Sequence, residues 1–259
     1  MCYRCYWPQP LCWCGSITPM PTRTKFVILM HPYEFKRIKA NTGRLTHLCL
    51  ADSELHIGIE FDGHEAVQAL INDPRNYPVL LYPGKGAFDL SEARSVEEGA
   101  GSLAESSGSR FAALRGQLET RRLVVFLLDA TWRLVRPMLR LSPSLQRLPR
   151  VMFSNAAPSR YLIKRQPEPG CLSTLEAVHE LLLRLDRAGL DHYTQPDQML
   201  DLFRRMQEVQ INKTAENRRL GISRYDRRSP GEPKAKSPTP PSPPKRRRIF
   251  PAKPAGAGC

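Results

Sequence analysis

The stretch from Leu123 to Met138 constrains the fold most, because an apolar run, a polar turn and a helix start follow one another within it. Leu123 to Leu128 are consecutive apolar residues, and Asp129 ends the run. Such a run is typical of a strand that is covered on both faces, as in a parallel sheet. The sequence therefore predicts a single α/β domain with a mostly parallel sheet, in which Asp129 lies at the carboxyl end of a strand.

Asp129 and the turn that follows it are candidate site residues because of their position. Ligands of open α/β sheets bind in the crevice beyond the carboxyl ends of the strands, where Thr131 and Trp132 would also lie. A structural alternative stays open, in which Asp129 or Thr131 caps the next helix and Trp132 fills the core. Pro137 lies too close to this turn for an uninterrupted helix, and it predicts a helix that begins one turn later.

A second apolar run, Lys25 to Met30, also ends in polar residues and predicts a second strand. After it, a basic helical segment from Phe35 to Leu45 is expected to stop near Gly43. Three polar side chains gather at this stop: Asn41, Thr42 and Arg44. They offer amide, hydroxyl and guanidinium donors to an anionic group, although an ordinary helix end with a solvated arginine also explains them.

A third polar segment follows the short predicted strand from Arg150 to Phe153, and it contains Ser159, Tyr161 and Arg165. Because several strands release their polar residues on one side, the sequence predicts a cleft that they share. Between Lys85 and Gly108 the composition turns to Gly, Ser, Ala and Glu, which predicts a long surface connection without regular structure.

The clearest predicted helix lies between Leu172 and Gly189. Ser173 and Glu176 have the spacing of a capping box, the apolar residues keep helical spacing, and Gly189 is a typical helix stop. The free backbone N–H groups at this start, beside Thr174, could hold a carboxylate or a phosphate. The cap alone, however, explains both polar residues without a ligand.

Four of the seven cysteines lie close together at the start of the chain: Cys2, Cys5, Cys12 and Cys14. A cytosolic chain keeps its thiols reduced, so such a cluster favours a metal over disulfides. The spacing suits a closed, structural Zn²⁺ site with four thiolate ligands, and unligated thiols on a frayed terminus are the alternative. We therefore expect a small zinc-binding segment over residues 1–22.

The formal net charge of +14 is concentrated near the end of the chain. Residues 213–259 contain 13 Lys and Arg against 3 Asp and Glu, whereas residues 1–212 contain 26 against 22. The Pro- and Arg-rich composition predicts a disordered basic tail over 213–259, either an electrostatic arm for RNA or a solvated, solubilising end. Residues 23–212 would form the α/β domain. An apolar run of ~18 residues and the pattern of a signal peptide are both missing, so we expect a cytoplasmic protein that has no membrane partner.

Taken together, these motifs resemble the DTW-domain family over most of residues 2–212. The resemblance is carried by the four N-terminal cysteines and by five further groups: His31 with Glu34; Asn41, Thr42, Gly43 and Arg44; Asp129, Thr131 and Trp132; Ser159, Tyr161 and Arg165; and Leu172 to Ala177. Members of this family act as tRNA-uridine aminocarboxypropyltransferases that use S-adenosylmethionine (SAM), and the group is similar to knotted SPOUT-type folds. The resemblance implies a Rossmann-like or SPOUT-like catalytic domain over residues 23–212, SAM as a substrate and tRNA as a partner. We expect no obligate protein partner.

The resemblance also implies a reaction in which a uridine N3 attacks the methylene carbon of the aminocarboxypropyl chain and methylthioadenosine leaves. Asp129 would be the general base, or the ionic partner of the sulfonium and amino groups. Binding of the cofactor would fall to the polar residues around the cleft: Asn41, Thr42, Arg44, Thr131, Trp132, Ser159, Tyr161, Arg165, Ser173, Thr174 and Glu176. Ala130 stands where the family often has glycine, so a positive φ at this turn would be strained.

Two alternatives stay open for the function. One is a SAM-dependent RNA methyltransferase of the SPOUT type, and the other is a non-catalytic, zinc-containing RNA-binding protein. A likeness at the level of the fold does not separate them, because SAM offers either carbon for transfer.

Overall fold

The computed structural model describes residues 1–38, 40–84, 86–92, 105–154, 156–163 and 171–222. Its centre is a sheet with these strands: β1 (Lys25–Met30), β2 (Ser53–Ile57), β3 (Asn76–Leu81), β4 (Phe88–Asp89), β5 (Arg122–Asp129) and β6 (Arg150–Met152). Their order is β2-β1-β5-β3-β6-β4, and every pair is parallel. The predicted α/β class with a mostly parallel sheet is confirmed, and β5, which contains the apolar run, lies between β1 and β3.

The helices are α1 (Pro32–Arg37), α2 (Thr42–Cys49), α3 (Glu65–Asn72), α4 (Glu105–Thr120), α5 (Trp132–Arg140), α6 (Pro143–Arg147), α7 (Thr174–Arg187) and α8 (Pro196–Arg219). They cover both faces of the sheet, because alternate residues of the strands belong to two separate cores. In β5, Val125 and Leu127 join the core that includes residues of α2, α7 and α8. Val124 and Phe126 join the core that includes residues of α3, α5 and α6. Burial on both faces explains why the run has no polar alternation.

The chain divides into two compact units, Met1–Glu216 and Asn217–Cys259, and the second is described only as far as Ile222. Helix α8 continues to Arg219, so residues 213–219, which we assigned to the tail, are helical. The rest of the predicted tail lies outside the described residues. Among the helices that are described, none has both the length and the apolar character needed to cross a membrane.

The predicted helix from Phe35 to Leu45 is wrong, because the chain forms two helices over this region. Asn41 begins α2 instead of ending a helix: its side-chain Oδ1 accepts a hydrogen bond of 2.8 Å from the backbone N–H of Arg44. Gly43 therefore lies in the first turn of α2. The prediction failed because Asn and Gly are common at both ends of helices, so their presence does not fix the direction.

The predicted late start of α5 is also wrong. The helix begins at Trp132, because the carbonyl oxygen of Thr131 already accepts hydrogen bonds from the N–H groups of Leu134 and Val135. Pro137 lies inside α5, where its missing N–H removes a single helical hydrogen bond.

The connection predicted between Lys85 and Gly108 contains regular structure where it is described. Strand β4 pairs with β6 at the edge of the sheet, and α4 begins at Glu105. A strand of two residues has no readable periodicity, which is why the sequence did not indicate it.

Candidate active site

A cleft of about 340 Å³ lies beyond the carboxyl ends of β1 and β5. It is lined by α1, by the starts of α2 and α7, by the turn after β5, and by the loop around Tyr161. The strands β1 and β5 are neighbours in which Met30 and Asp129 are paired, so the segments that follow them meet at one edge of the sheet. The cleft that the polar strand ends predicted is therefore present.

Asp129 is a buried acid that lines this cleft, with only 4% of its surface exposed. Its Oδ2 accepts a hydrogen bond of 2.8 Å from Nδ2 of Asn41, and its Oδ1 accepts one of 2.6 Å from Oγ1 of Thr174. Hydrogen bonds of this kind stabilise an ionised carboxylate. Because Asn41 and Thr174 belong to the starts of α2 and α7, Asp129 joins two helix starts to the end of β5.

Gly43 leaves the space that the Asp129 carboxylate occupies. A Cβ at this position would lie 2.6 Å from both Cγ and Oδ2 of Asp129, which is closer than real Cβ contacts come. The absence of a side chain at Gly43 is therefore a requirement of the site. The sequence offered a different explanation, a helix stop, because the contact is between residues that are far apart in the chain.

Asn41 and Thr42 line the cleft as predicted, whereas Arg44 is not part of its lining. The Arg44 guanidinium lies over the rings of Tyr6, at 4.4 Å, and Phe35, at 4.9 Å, and donates a hydrogen bond of 3.2 Å to the Phe35 carbonyl oxygen. Burial lowers the pKa of Arg44 from its ordinary value. Arg44 thus joins α2 to α1 and to residues 1–22, which we call the cysteine segment.

The start of α7 has the predicted capping box. Glu176 is buried, and its carboxylate accepts hydrogen bonds from Ser173, from the Ser159 hydroxyl at 2.9 Å and from the Arg160 N–H at 2.6 Å. Ser173 and Thr174 line the cleft, whereas Ser159 and Glu176 do not. Glu176 and Ser159 therefore hold the loop before Tyr161 against the helix start.

Tyr161 also lines the cleft. Burial raises the pKa of Tyr161 to about 12, and the nearby negative charges of Glu34, Asp129 and Glu176 add to the effect. The phenol therefore keeps its proton near neutral pH and is available as a hydrogen-bond donor. Arg165, which the sequence placed in the same group, lies outside the described residues.

Thr131 and Trp132 also line the cleft. Thr131 is at the N-cap position of α5, but its side chain makes no capping hydrogen bond. Trp132 is 39% exposed, with its ring centroid 5.8 Å from that of Tyr82, so the alternative in which it fills the core is wrong. Tyr6 is the one non-glycine residue with positive φ among the described residues, so Ala130 fits its turn without that strain.

Glu34 is a cleft residue that we did not assign to the site from the sequence. It lies in the first turn of α1, is 3% exposed and lines the cleft. Glu34 comes four residues after the end of β1, so an acid shortly after an apolar run was the available signal. His31 has a structural role, because its Nδ1 accepts a hydrogen bond from the Tyr33 N–H and caps α1.

The four N-terminal cysteines form a cluster in which all sulfur atoms lie within 4.8 Å of one another: Cys2, Cys5, Cys12 and Cys14. The Cys2 and Cys14 sulfurs are 3.8 Å apart, and the Cys5 and Cys12 sulfurs are 3.7 Å apart. With Zn–S bonds of ~2.3 Å, the edge of a sulfur tetrahedron is about 3.8 Å, so these residues fit a four-thiolate zinc site. Hydrogen bonds from the backbone N–H groups of Cys5 and Arg4 lower the pKa of Cys2 to about 6.

The cysteine segment is anchored in the core of the domain. Cys5, Trp7 and Trp13 are buried and belong to the same core as residues of α2, α7 and α8. The alternative of a frayed terminus is therefore wrong. Tyr6 of this segment lies under the guanidinium of Arg44, a residue of α2, and the start of α2 lines the cleft.

Comparison with known proteins finds several relatives of this chain. Three relatives are each named "tRNA-uridine aminocarboxypropyltransferase 2". The one from Drosophila melanogaster is 29% identical over 192 residues, 71% of this chain and 66% of the relative. Those from Mus musculus and Macaca fascicularis are 28% and 24% identical over 222 residues, 83% of this chain and 67% of each relative. The chain thus spans about two thirds of the length of these curated relatives.

No solved structure matches this chain with significance. The family model described as the DTW domain matches residues 1–211, which include every described residue of the cleft and all four clustered cysteines. The chain therefore belongs to the DTW domain family.

Proposed function

We propose that this chain is a SAM-dependent tRNA-uridine aminocarboxypropyltransferase, which transfers the 3-amino-3-carboxypropyl group of SAM to N3 of a uridine in tRNA. The names of its relatives and its DTW domain support this activity. The structural observation that carries the proposal is the buried carboxylate of Asp129, held by two helix starts in a cleft at the carboxyl ends of the strands.

The cleft suits SAM in size and in charge. Its volume of about 340 Å³ lies within the range of small-molecule sites. Glu34 is a negative partner for the sulfonium and amino groups, and the N–H groups at the starts of α2 and α7 suit a carboxylate. SAM would supply an electrophilic methylene carbon next to its sulfonium. The residues in position to hold it are Asn41, Thr42, Thr131, Trp132, Tyr161, Ser173 and Thr174.

Asp129 is the proposed general base. Uridine N3 carries a proton that must leave before the nitrogen can act as a nucleophile, and a positioned carboxylate can accept it. Asn41 and Thr174 fix the direction of the carboxylate. The exposed ring of Trp132 at the cleft offers a surface on which the uridine base can stack.

Three other residues with predicted roles in binding would act through their neighbours. Glu176 and Ser159 position Tyr161 and the start of α7, and Arg44 positions the start of α2. We propose these as positioning residues, because they lie outside the lining of the cleft. Arg165 stays a predicted binding residue on the strength of the family motif.

The proposed metal is a structural Zn²⁺ on Cys2, Cys5, Cys12 and Cys14. Sulfur separations near the edge of a ZnS₄ tetrahedron support it. Four protein ligands would leave no position for a substrate, so the ion would stabilise the segment and take no part in the transfer.

The test is to incubate the protein with SAM and unmodified tRNA, digest the tRNA and determine the mass of its nucleosides. We expect a uridine whose mass is increased by an aminocarboxypropyl group. A mass gain of one methyl group would establish the methyltransferase alternative. No gain on any of several unmodified RNAs, with RNA binding retained, would establish the non-catalytic alternative.

A further inference from the structure

The segment that follows Asp129 has an unusual distribution of charge. Residues 130–167 contain eight Lys and Arg and no Asp or Glu, although the whole chain has 25 acidic residues. In the structure this segment begins at the cleft and forms α5, α6 and β6. The first of these cations, Arg133, lines the cleft of the proposed active site.

The exposed side of α5 consists of arginines. Arg133, Arg136 and Arg140 are exposed and spaced by three and four residues, so they lie on one face of the helix. Val135 and Met138 are buried on the opposite face. We call the face formed by Arg133, Arg136 and Arg140 the arginine face.

The arginine face has no protein partner in the part of the chain that is described. None of its three guanidinium groups makes a hydrogen bond or an ion pair there, and α5 itself contains no acidic residue. By contrast, Arg204 on α8 is paired with Asp201 and Glu208. Three neighbouring cations without counter-charges repel one another, which a polyanion would relieve.

The arginine face starts at the cleft and leads away from it. Arg133 lines the cleft beside Trp132, and Arg140 lies seven residues further, which is about 10 Å along the helix. An RNA whose base enters the cleft must have its sugar–phosphate backbone at the rim. The backbone on one side of that base can then follow α5.

We infer that the arginine face binds the sugar–phosphate backbone of the RNA substrate next to the modified uridine. This inference rests on the proposed function, because it assumes that the cleft takes a base of RNA. The contacts would be to phosphates, so they would position the RNA without reading its sequence. An acidic protein is the other polyanion to which such a face could bind.

The test compares two double variants that remove the same charge. Arg136→Gln/Arg140→Gln neutralises the arginine face and leaves Arg133, which lines the cleft, in place. Arg23→Gln/Arg187→Gln is the control: both residues are exposed, and no ion pair of either side chain is present in the described structure. Arg23 precedes β1 and Arg187 ends α7, so both lie at the opposite end of the sheet from the cleft.

We expect roughly tenfold weaker binding of unmodified tRNA for the arginine-face variant at physiological salt, measured without SAM, and little change for the control. Each lost phosphate contact should also reduce the slope of log K against log salt by about one. In turnover, the KM for tRNA should rise while kcat at saturating tRNA stays unchanged. Arg136→Lys/Arg140→Lys should retain most of the affinity, and equal Tm values for all variants would show intact folding.

The outcomes separate this inference from the proposed function. Equal tRNA affinity and equal salt slope for the two Gln variants would overturn the arginine face as an RNA surface, even if tRNA is modified normally. Loss of affinity for the arginine-face variant alone would support it, even if the transferred group is not aminocarboxypropyl. Unchanged tRNA binding together with loss of affinity for an acidic polypeptide would assign the face to a protein partner and overturn the inference.

Discussion

At the scale of single residues, the sequence indicated several of the side chains that line the cleft, but not what each does there. Asp129 was predictable because an acid that ends an apolar run lies at the edge where α/β sheets bind ligands. The roles of Arg44 and Glu176 were not, because both depend on contacts with residues distant in the chain. Arg44 reaches Tyr6, and Glu176 holds Ser159.

Gly43→Ala tests how closely the site is packed. A Cβ would lie 2.6 Å from the Asp129 carboxylate, so we expect the carboxylate to move and kcat to fall by roughly tenfold to a hundredfold. Helix propensity alone predicts that the Gly43→Ala variant is more stable, since Gly→Ala inside a helix stabilises by about 0.5–1 kcal/mol.

The matched control is Gly116→Ala in α4, where a Cβ would meet nothing within 4 Å. It should keep full activity and raise the Tm slightly. Full activity and a raised Tm for Gly43→Ala as well would show that the site tolerates the added carbon, and would contradict the packing described above.

At the scale of elements, apolar runs predicted β1 and β5, and helical spacing with a capping box predicted α7, because each of these elements carries its own local signal. The division between α1 and α2 was missed, since Asn41 and Gly43 fit a helix end as well as a helix start. Strand β4 was missed for a different reason. It exists only through its pairing with β6, which no local pattern reports.

The cysteine segment is the element whose stability should depend on a metal. Zinc removal by a chelator, or Cys5→Ser, should lower the free energy of unfolding, because Cys5 is buried in a core shared with α2, α7 and α8. The kcat of protein that remains folded should change little. Cys171→Ser, outside the cluster, is the control variant. Elemental analysis that finds no zinc in freshly purified protein would contradict the assignment.

At the scale of the whole molecule, the α/β class was predictable from the apolar strands, whereas the strand order was not. The order β2-β1-β5-β3-β6-β4 places β5 beside β1, from which it is separated by more than 90 residues of sequence. Such pairings depend on the packing of the entire chain. The order matters for function, because it brings Glu34 and Asp129 into one cleft.

The basic end of the chain, residues 223–259, is a second place where the sequence concentrates positive charge. Residues 223–259 contain ten Lys and Arg against two Asp and Glu, so truncation after Ile222 removes a net eight positive charges and no residue of the cleft. If this end contacts the RNA backbone, the truncated protein should bind tRNA more weakly, with a shallower salt dependence and a raised KM. The kcat at saturating tRNA should be nearly unchanged. Equal affinity and equal salt slope for both proteins would assign this end to solubility alone.

The central claim is that Asp129 acts as the base of the transfer within the cleft, and Asp129→Asn tests it most directly. The amide has the same shape and can keep hydrogen bonds to Asn41 and Thr174, but it cannot accept the proton of uridine N3. Product formation is measured through the mass of the modified nucleoside. We expect kcat to fall by a factor of ~10²–10⁴, with unchanged Tm and SAM affinity. Glu34→Gln serves as the comparison for the second acid of the cleft. A kcat for Asp129→Asn equal to that of the unaltered protein would contradict the claim. If that normal kcat at saturating SAM came with a loss of SAM affinity, Asp129 would be a binding residue instead.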